Sequence, residues 1–275
     1  MASRLWTFQR ILPACEDGQA EAWRAFLDTY TSVARGLLGA YFRGVEGGPR
    51  DIWKRALRAL GENNCDRLRA FDHQAEREFL ADLRAFLLEL GAPGLDPARD
   101  LAGPPRPNAE TLGAILQRLP FLHQQAVFLK LAGYSDSALE KMLKIPPTAA
   151  ERAVERLQKD FSTFLKRQHD ECLWPAAWLE FQRSVRAAPD KDCPPLRQFV
   201  RIFDGQASWY DKGPAEEHVT ACLRCLERWC ALREVVFWRA KAEPLSSNQA
   251  DELLSLLPIQ RVPEGRKSLL TRLFK

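Results

Sequence analysis

The sequence predicts an all-α protein, and three observations carry that expectation. Apolar residues recur at three- and four-residue spacing along most of the chain, as in "AWRAFLDTYTSVARGLLGAYF" at 22–42, the pattern of one helix face. Runs of alternating β-branched residues, the mark of half-buried strands, are missing. Ser/Thr-x-x-Glu capping boxes and Pro- or Gly-rich breaks punctuate the periodic stretches.

The stretch at 22–42 places Trp23, Phe26, Leu27, Tyr30, Val33, Leu37, Leu38 and Tyr41 on one broad stripe. "GVEGGP" breaks it, and "DIWKRALRAL" and "EREFLADLRAFLLEL" read as two further helices. These make a first helical domain over residues 1–95. The segment at 91–108, "GAPGLDPARDLAGPPRPN", is dense in Pro and Gly, so a linker is expected over 96–110. A second helical domain follows at 111–170. Leu119-Pro120 divides its first two helices, and "AGYSDS" supplies a turn at Gly133. Ser137 with Glu140 and Thr148 with Glu151 fit capping boxes, which mark two more helix starts. A short helix, a tight turn and a longer capped helix make a helix-turn-helix, used either to read DNA or as a packing and protein-docking unit.

"WPAAW" and "AAPDKDCPP" mark the next break, a second linker over 171–189. About 20 residues of flexible chain there would span about 25 Å. The third part, 190–275, holds "EEHVTACLRC" at 216–225. His218, Cys222 and Cys225 stand at H-x3-C-x2-C, and residues three and four apart share a helix face. Cys193 lies 25 positions before His218 and completes a Cys3His set. Three thiolates and an imidazole in tetrahedral array suit zinc. Cys230 falls outside the pattern and reads as a buried small residue. The run "ADELLSLLPI" at 250–259 offers an apolar face either to its own domain or to another.

Composition bounds the function. The 275 residues are 46% hydrophobic and 28% charged, with net charge +4, as in ordinary globular proteins. Residues 111–169 carry 9 Lys/Arg against 5 Asp/Glu, whereas residues 1–110 carry 15 against 16. No apolar run approaches the roughly 20 residues of a membrane span, so no membrane partner is expected. The N-terminus turns acidic too early for a secretory signal, which points to the cytoplasm. Seven unevenly spaced cysteines read as metal ligands or buried thiols, not a disulfide framework. No Gly-rich phosphate loop or nucleophile motif is present, and the four His, at 73, 123, 169 and 218, are scattered. A metal with four protein ligands keeps no open position for a catalytic water, so no enzyme is expected.

Three stretches resemble known bacterial modules. Residues 190–240, with Cys193, "FDGQAS" and "EEHVTACLRC", resemble the zinc-binding anti-sigma domain, some members of which lose zinc on oxidation. Residues 111–165, from "LQRLP" through "LKLAGYSDSALEKMLKI" to "PTAAERAVERL", resemble region 4 of extracytoplasmic-function sigma factors. That resemblance implies DNA-facing roles for Thr148, Ala150, Glu151, Arg152 and Arg156. On that helix Arg152, Arg156 and Lys159 stand against Glu151, Glu155 and Asp160. Residues 15–90 resemble sigma region 2, whose polymerase-clamp segment falls on "RDIWKRALRAL". There Asp51 keeps the family's residue and Lys54 replaces its Gln. Trp53 reads as core and His73 as surface.

The combined resemblance implies a sigma-factor-like regulator that binds core RNA polymerase and promoter DNA. Its zinc domain would dock intramolecularly on the sigma-like domains, at about millimolar effective concentration for a short tether. The alternative is a degenerate sigma-like interaction module that no longer binds promoter DNA.

Overall fold

The computed structural model describes residues 6–43, 45, 47–71, 74–95, 109–146, 148, 152, 175–189 and 192–259. These residues are helical throughout their regular structure, with no strand among them. The first four helices are α1 (Phe8–Glu16), α2 (Ala20–Tyr41), α3 (Gly48–Arg69) and α4 (Glu76–Gly91). The stripe expected on α2 faces inward: Trp23, Phe26, Tyr30, Leu37 and Tyr41 are at most 2% exposed. Phe26 and Tyr30 meet edge to face at 4.9 Å, and Tyr30 meets Phe79 of α4 at 5.3 Å. Such pairs add about 0.5–1.5 kcal/mol beyond their buried area. Trp53 is core, as expected, and its Nε1 donates to Thr31 Oγ1 at 3.2 Å. His73 lies outside the described residues.

Helix α3 is interrupted at Glu62–Cys65, where Asn63, Asn64 and Cys65 take φ of 48°, 58° and 64°. Left-handed backbone costs L-residues about 1–2 kcal/mol each, and Asn tolerates it best. "ENNC" therefore breaks a ladder that apolar spacing alone would have continued.

The middle helices are α5 (Ala109–Arg118), α6 (Phe121–Leu131) and α7 (Asp136–Leu143). Pro120 separates α5 from α6, and Gly133 at φ 95° turns α6 toward α7. The start of α7 corrects one capping assignment. Ser135, not Ser137, is the N-cap, and its side chain accepts from the Ala138 N–H at 3.3 Å. Ser137 already lies within the helix. The second expected box, Thr148 with Glu151, extends beyond the described residues.

The remaining helices are α8 (Pro175–Ala187), α9 (Leu196–Phe203), α10 (Trp209–Ala221), α11 (Leu223–Ala240) and α12 (Ser247–Leu254). Within the expected linker over 171–189, helix α8 overturns the expectation of flexible chain for residues 175–187. Proline is well placed in a first helical turn, and Trp178, Leu179, Phe181 and Val185 are buried. "FDGQAS" turns the chain between α9 and α10, with Gly205 at φ 69° and Ser208 in a capping box with Asp211.

Helix α11 is the axis of the molecule. It packs against α2 and α4 on one side and against α6, α7, α8, α9 and α10 on others. The approach to α2 is close: a Cβ on Gly36 would run into the Trp238 ring. Buried beside it is an ion network drawn from four helices. Arg84 of α4 is 1% exposed and pairs with Glu227 and Glu234 of α11 at 2.8 and 2.5 Å. Its Nη2 also donates to Tyr41 Oη at 2.7 Å and to Gln182 Oε1 of α8 at 3.2 Å. Arg186 adds a second cation to Glu227 at 3.0 Å. Removing one partner from such a buried set strands the others, at a cost of about 3–5 kcal/mol.

Helix α12 lies on α2 with Ala250 and Leu253 buried, so the C-terminal apolar run faces the first helical block. Asp251 pairs with Arg24 at 3.2 Å, and Glu252 pairs with Arg50 and Lys54 of α3 at 2.7 Å each. Just beyond it, Pro258 approaches Gly61 so closely that a Cβ there would sit 2.5 Å from its ring.

Candidate metal centre

Cys193, His218, Cys222 and Cys225 come together with their ligand atoms all within 4.8 Å of one another. They form a group able to hold one metal ion. Their spacing does this differently from the single helix face the sequence suggests. On an unbroken helix, His218 and Cys225 would stand about 10 Å apart along the axis, at 1.5 Å per residue. Metal–ligand distances of about 2.0–2.3 Å cannot bridge that. The chain solves this by breaking at Cys222, whose φ of −118° and ψ of 111° end α10 and begin α11. The Cys222 N–H donates to His218 O at 2.9 Å and its carbonyl accepts from the Leu226 N–H at 2.9 Å. His218 therefore comes from the last turn of α10 and Cys225 from the first turn of α11. Cys193 enters from the non-helical stretch before α9, its Sγ 3.8 Å from that of Cys222.

The break leaves carbonyls at the end of α10 without helical partners, and the middle helices supply donors. Gln124 Nε2 of α6 donates to Thr220 O at 2.8 Å, and Gln117 Nε2 of α5 donates to Ala221 O at 2.9 Å. These two glutamines hold the ligand-bearing break, and no sequence signal marks them. Glutamine on a helix surface is ordinary until its neighbour is known.

The electrostatics favour a cation. His218 Nε2 is buried with no hydrogen-bond partner, and an unsatisfied buried polar atom costs about 1–3 kcal/mol. A coordinated ion would satisfy it. Burial pushes the Cys225 thiol well up, and hydrogen bonding to Cys193 and the nearby Cys222 push the same way. Burial likewise raises the Cys193 thiol. A dication among these sulfurs inverts that preference and favours the thiolates. Cys230 is fully buried and outside the group.

The residues expected to face DNA are described only in part. Thr148 and Arg152 are helical and exposed, while Ala150, Glu151 and Arg156 lie outside the described residues. Among the described residues no helix is long and apolar enough to cross a membrane. Comparison with protein-family models, with curated proteins and with solved structures finds no match to this chain.

Proposed function

We propose that the protein is a sigma-factor-like transcription regulator held in check by its own zinc-binding C-terminal part. Zinc is the metal the donor set favours, because three thiolates and one imidazole are soft to borderline ligands. The core polymerase and promoter DNA are the partners implied by the sequence resemblance.

One observation carries the restraint. Arg50 and Lys54, in the segment that the resemblance assigns to the polymerase clamp, are paired with Glu252 of α12. This pairing supports the reading that the C-terminal helix covers part of the surface a polymerase would need. Its test must spare α11, whose loss would open the core. A chain ending at residue 242 keeps α11 whole and lacks α12 with the residues that follow it. It should co-purify with core RNA polymerase more strongly than the full chain does. Equal recovery of both would sink the restraint.

A second reading has its own support. The middle helices are engaged by the metal-bearing part, through Gln124 with Thr220, Gln125 Oε1 with Trp229 Nε1 at 3.0 Å, and Arg233 with Met142 O at 3.3 Å. A helix-turn-helix built into such packing can serve as a docking unit without reading DNA. Duplex binding at low salt separates the two, since phosphate affinity is greatest there. Its absence in the full chain and in the chain ending at residue 242 favours the docking unit.

A further inference from the structure

A cavity of about 660 Å³ opens between α7, α9, α10 and α11, outside the metal centre. Its size falls within the range of small-molecule sites, about 300–1,000 Å³. Five cations line it, Lys141, Lys144, Lys212, Arg233 and Lys241, against one acid, Glu216. Glu216 pairs with Lys212 at 3.8 Å. Among the described residues the other four cations make no ion pair with a carboxylate.

Arg233 is the most telling of them. It is half-buried, yet its Nε and Nη1 donate only to neutral oxygens, Gln125 Oε1 at 3.2 Å and Met142 O at 3.3 Å. Burial pushes its guanidinium below its ordinary value, and the opposing pull of Glu216 across the cavity does not offset it. Its guanidinium also lies 5.0 Å from the centre of the Phe203 ring. Lys144 stands at the end of α7 with φ 54°, a left-handed position where glycine is usual. The lysine there brings a charge to the cavity rim. The rest of the wall is apolar, with Phe203, Trp229 and Phe237 beside Met142 and Val236.

We propose that this cavity binds a small amphipathic anion, a planar or acyl apolar body carrying a phosphate, carboxylate or sulfonate head. The apolar wall takes the body, and Arg233 with the rim lysines takes the head. Helix α7 belongs to the helix-turn-helix-like block, and α9 to α11 carry the metal-bearing part. A bound anion therefore bridges the two, and this holds whether or not the protein acts on transcription.

The test uses the full chain purified under reducing conditions with zinc, followed by fluorescence titration. The probes are 8-anilinonaphthalene-1-sulfonate and its uncharged relative N-phenyl-1-naphthylamine. The sulfonate should bind one saturable site, and the uncharged dye about tenfold more weakly. Lys144→Gln and Lys241→Gln, both at exposed positions, should each weaken the sulfonate about fivefold, the size of one close charge interaction in water. Displacement by ATP assigns a nucleotide-type ligand, and displacement by laurate an acyl anion. Equal binding of both dyes, unchanged affinity in both variants, or displacement by neither competitor overturns the proposal.

Discussion

Cys222 has two duties at the scale of a single residue. It ends α10 and begins α11 with an extended backbone, and it offers a sulfur to the four-ligand group. Substitution by serine separates them, because serine is among the best N-cap residues. Cys222→Ser keeps the break and removes only the thiolate. The purified protein is expected to carry one zinc per chain, and Cys222→Ser well under half of one, with a lowered melting temperature. Full metal content in the variant would show that this sulfur is not a ligand. The ligands themselves were legible, since H-x3-C-x2-C with an upstream Cys is a dense and specific pattern. Gln117, Gln124 and Arg84 were not. Each acts through a partner about a hundred or more positions away, at Ala221, Thr220 and Glu227. No local pattern encodes such a distance.

At the scale of the element, α12 shows how a short helix is pinned by charge as well as by packing. Hydrogen bonds from Lys54 and Arg50 hold the Glu252 carboxyl below its ordinary value. A depressed carboxyl stabilises the folded arrangement above its unfolded value, near 4.5, and that contribution disappears as pH falls through the folded value. The pair is exposed and therefore also screened by salt. Protection factors of α12 amides, exchange rates corrected for the intrinsic pH dependence, should fall below about pH 4.5 more than those of α2, and also at neutral pH when salt is raised. Glu252→Gln should show the faster α12 exchange already at neutral pH and respond little to salt. A variant with the same α12 protection as the parent would mean that apolar packing alone holds the helix. Helix periods made most elements readable in advance. Those misread turn on local chemistry: Ser135 competed with Ser137 for the cap, and Pro175 looked like a break where it starts a helix.

The whole molecule is less separable than its Pro-rich stretches suggest. Buried residues of α1–α4, α5–α8 and α9–α12 join one continuous hydrophobic core, and α11 contributes to it along its length. Amphipathic periodicity shows that a helix has an inner face but not which helix meets it, so α11's central place was not visible beforehand. The consequence is that the metal centre sits at the first turn of the central helix. Structural zinc sites in small domains are coupled to folding by about 10–16 kcal/mol of apparent binding energy. Here part of that coupling should reach the N-terminal helices through Arg84, Glu227 and Glu234. Chelating the metal under reducing conditions is expected to lower the melting temperature by about 10 °C, for roughly 4 kcal/mol of lost ligand stabilisation. Unfolding should remain a single transition, and amides of α2 and α4 should lose protection together with those of α10 and α11. Protection lost from α9–α11 alone, with α2 and α4 unchanged, would mean that the metal stabilises only its own surroundings and that the buried ion network does not transmit its loss.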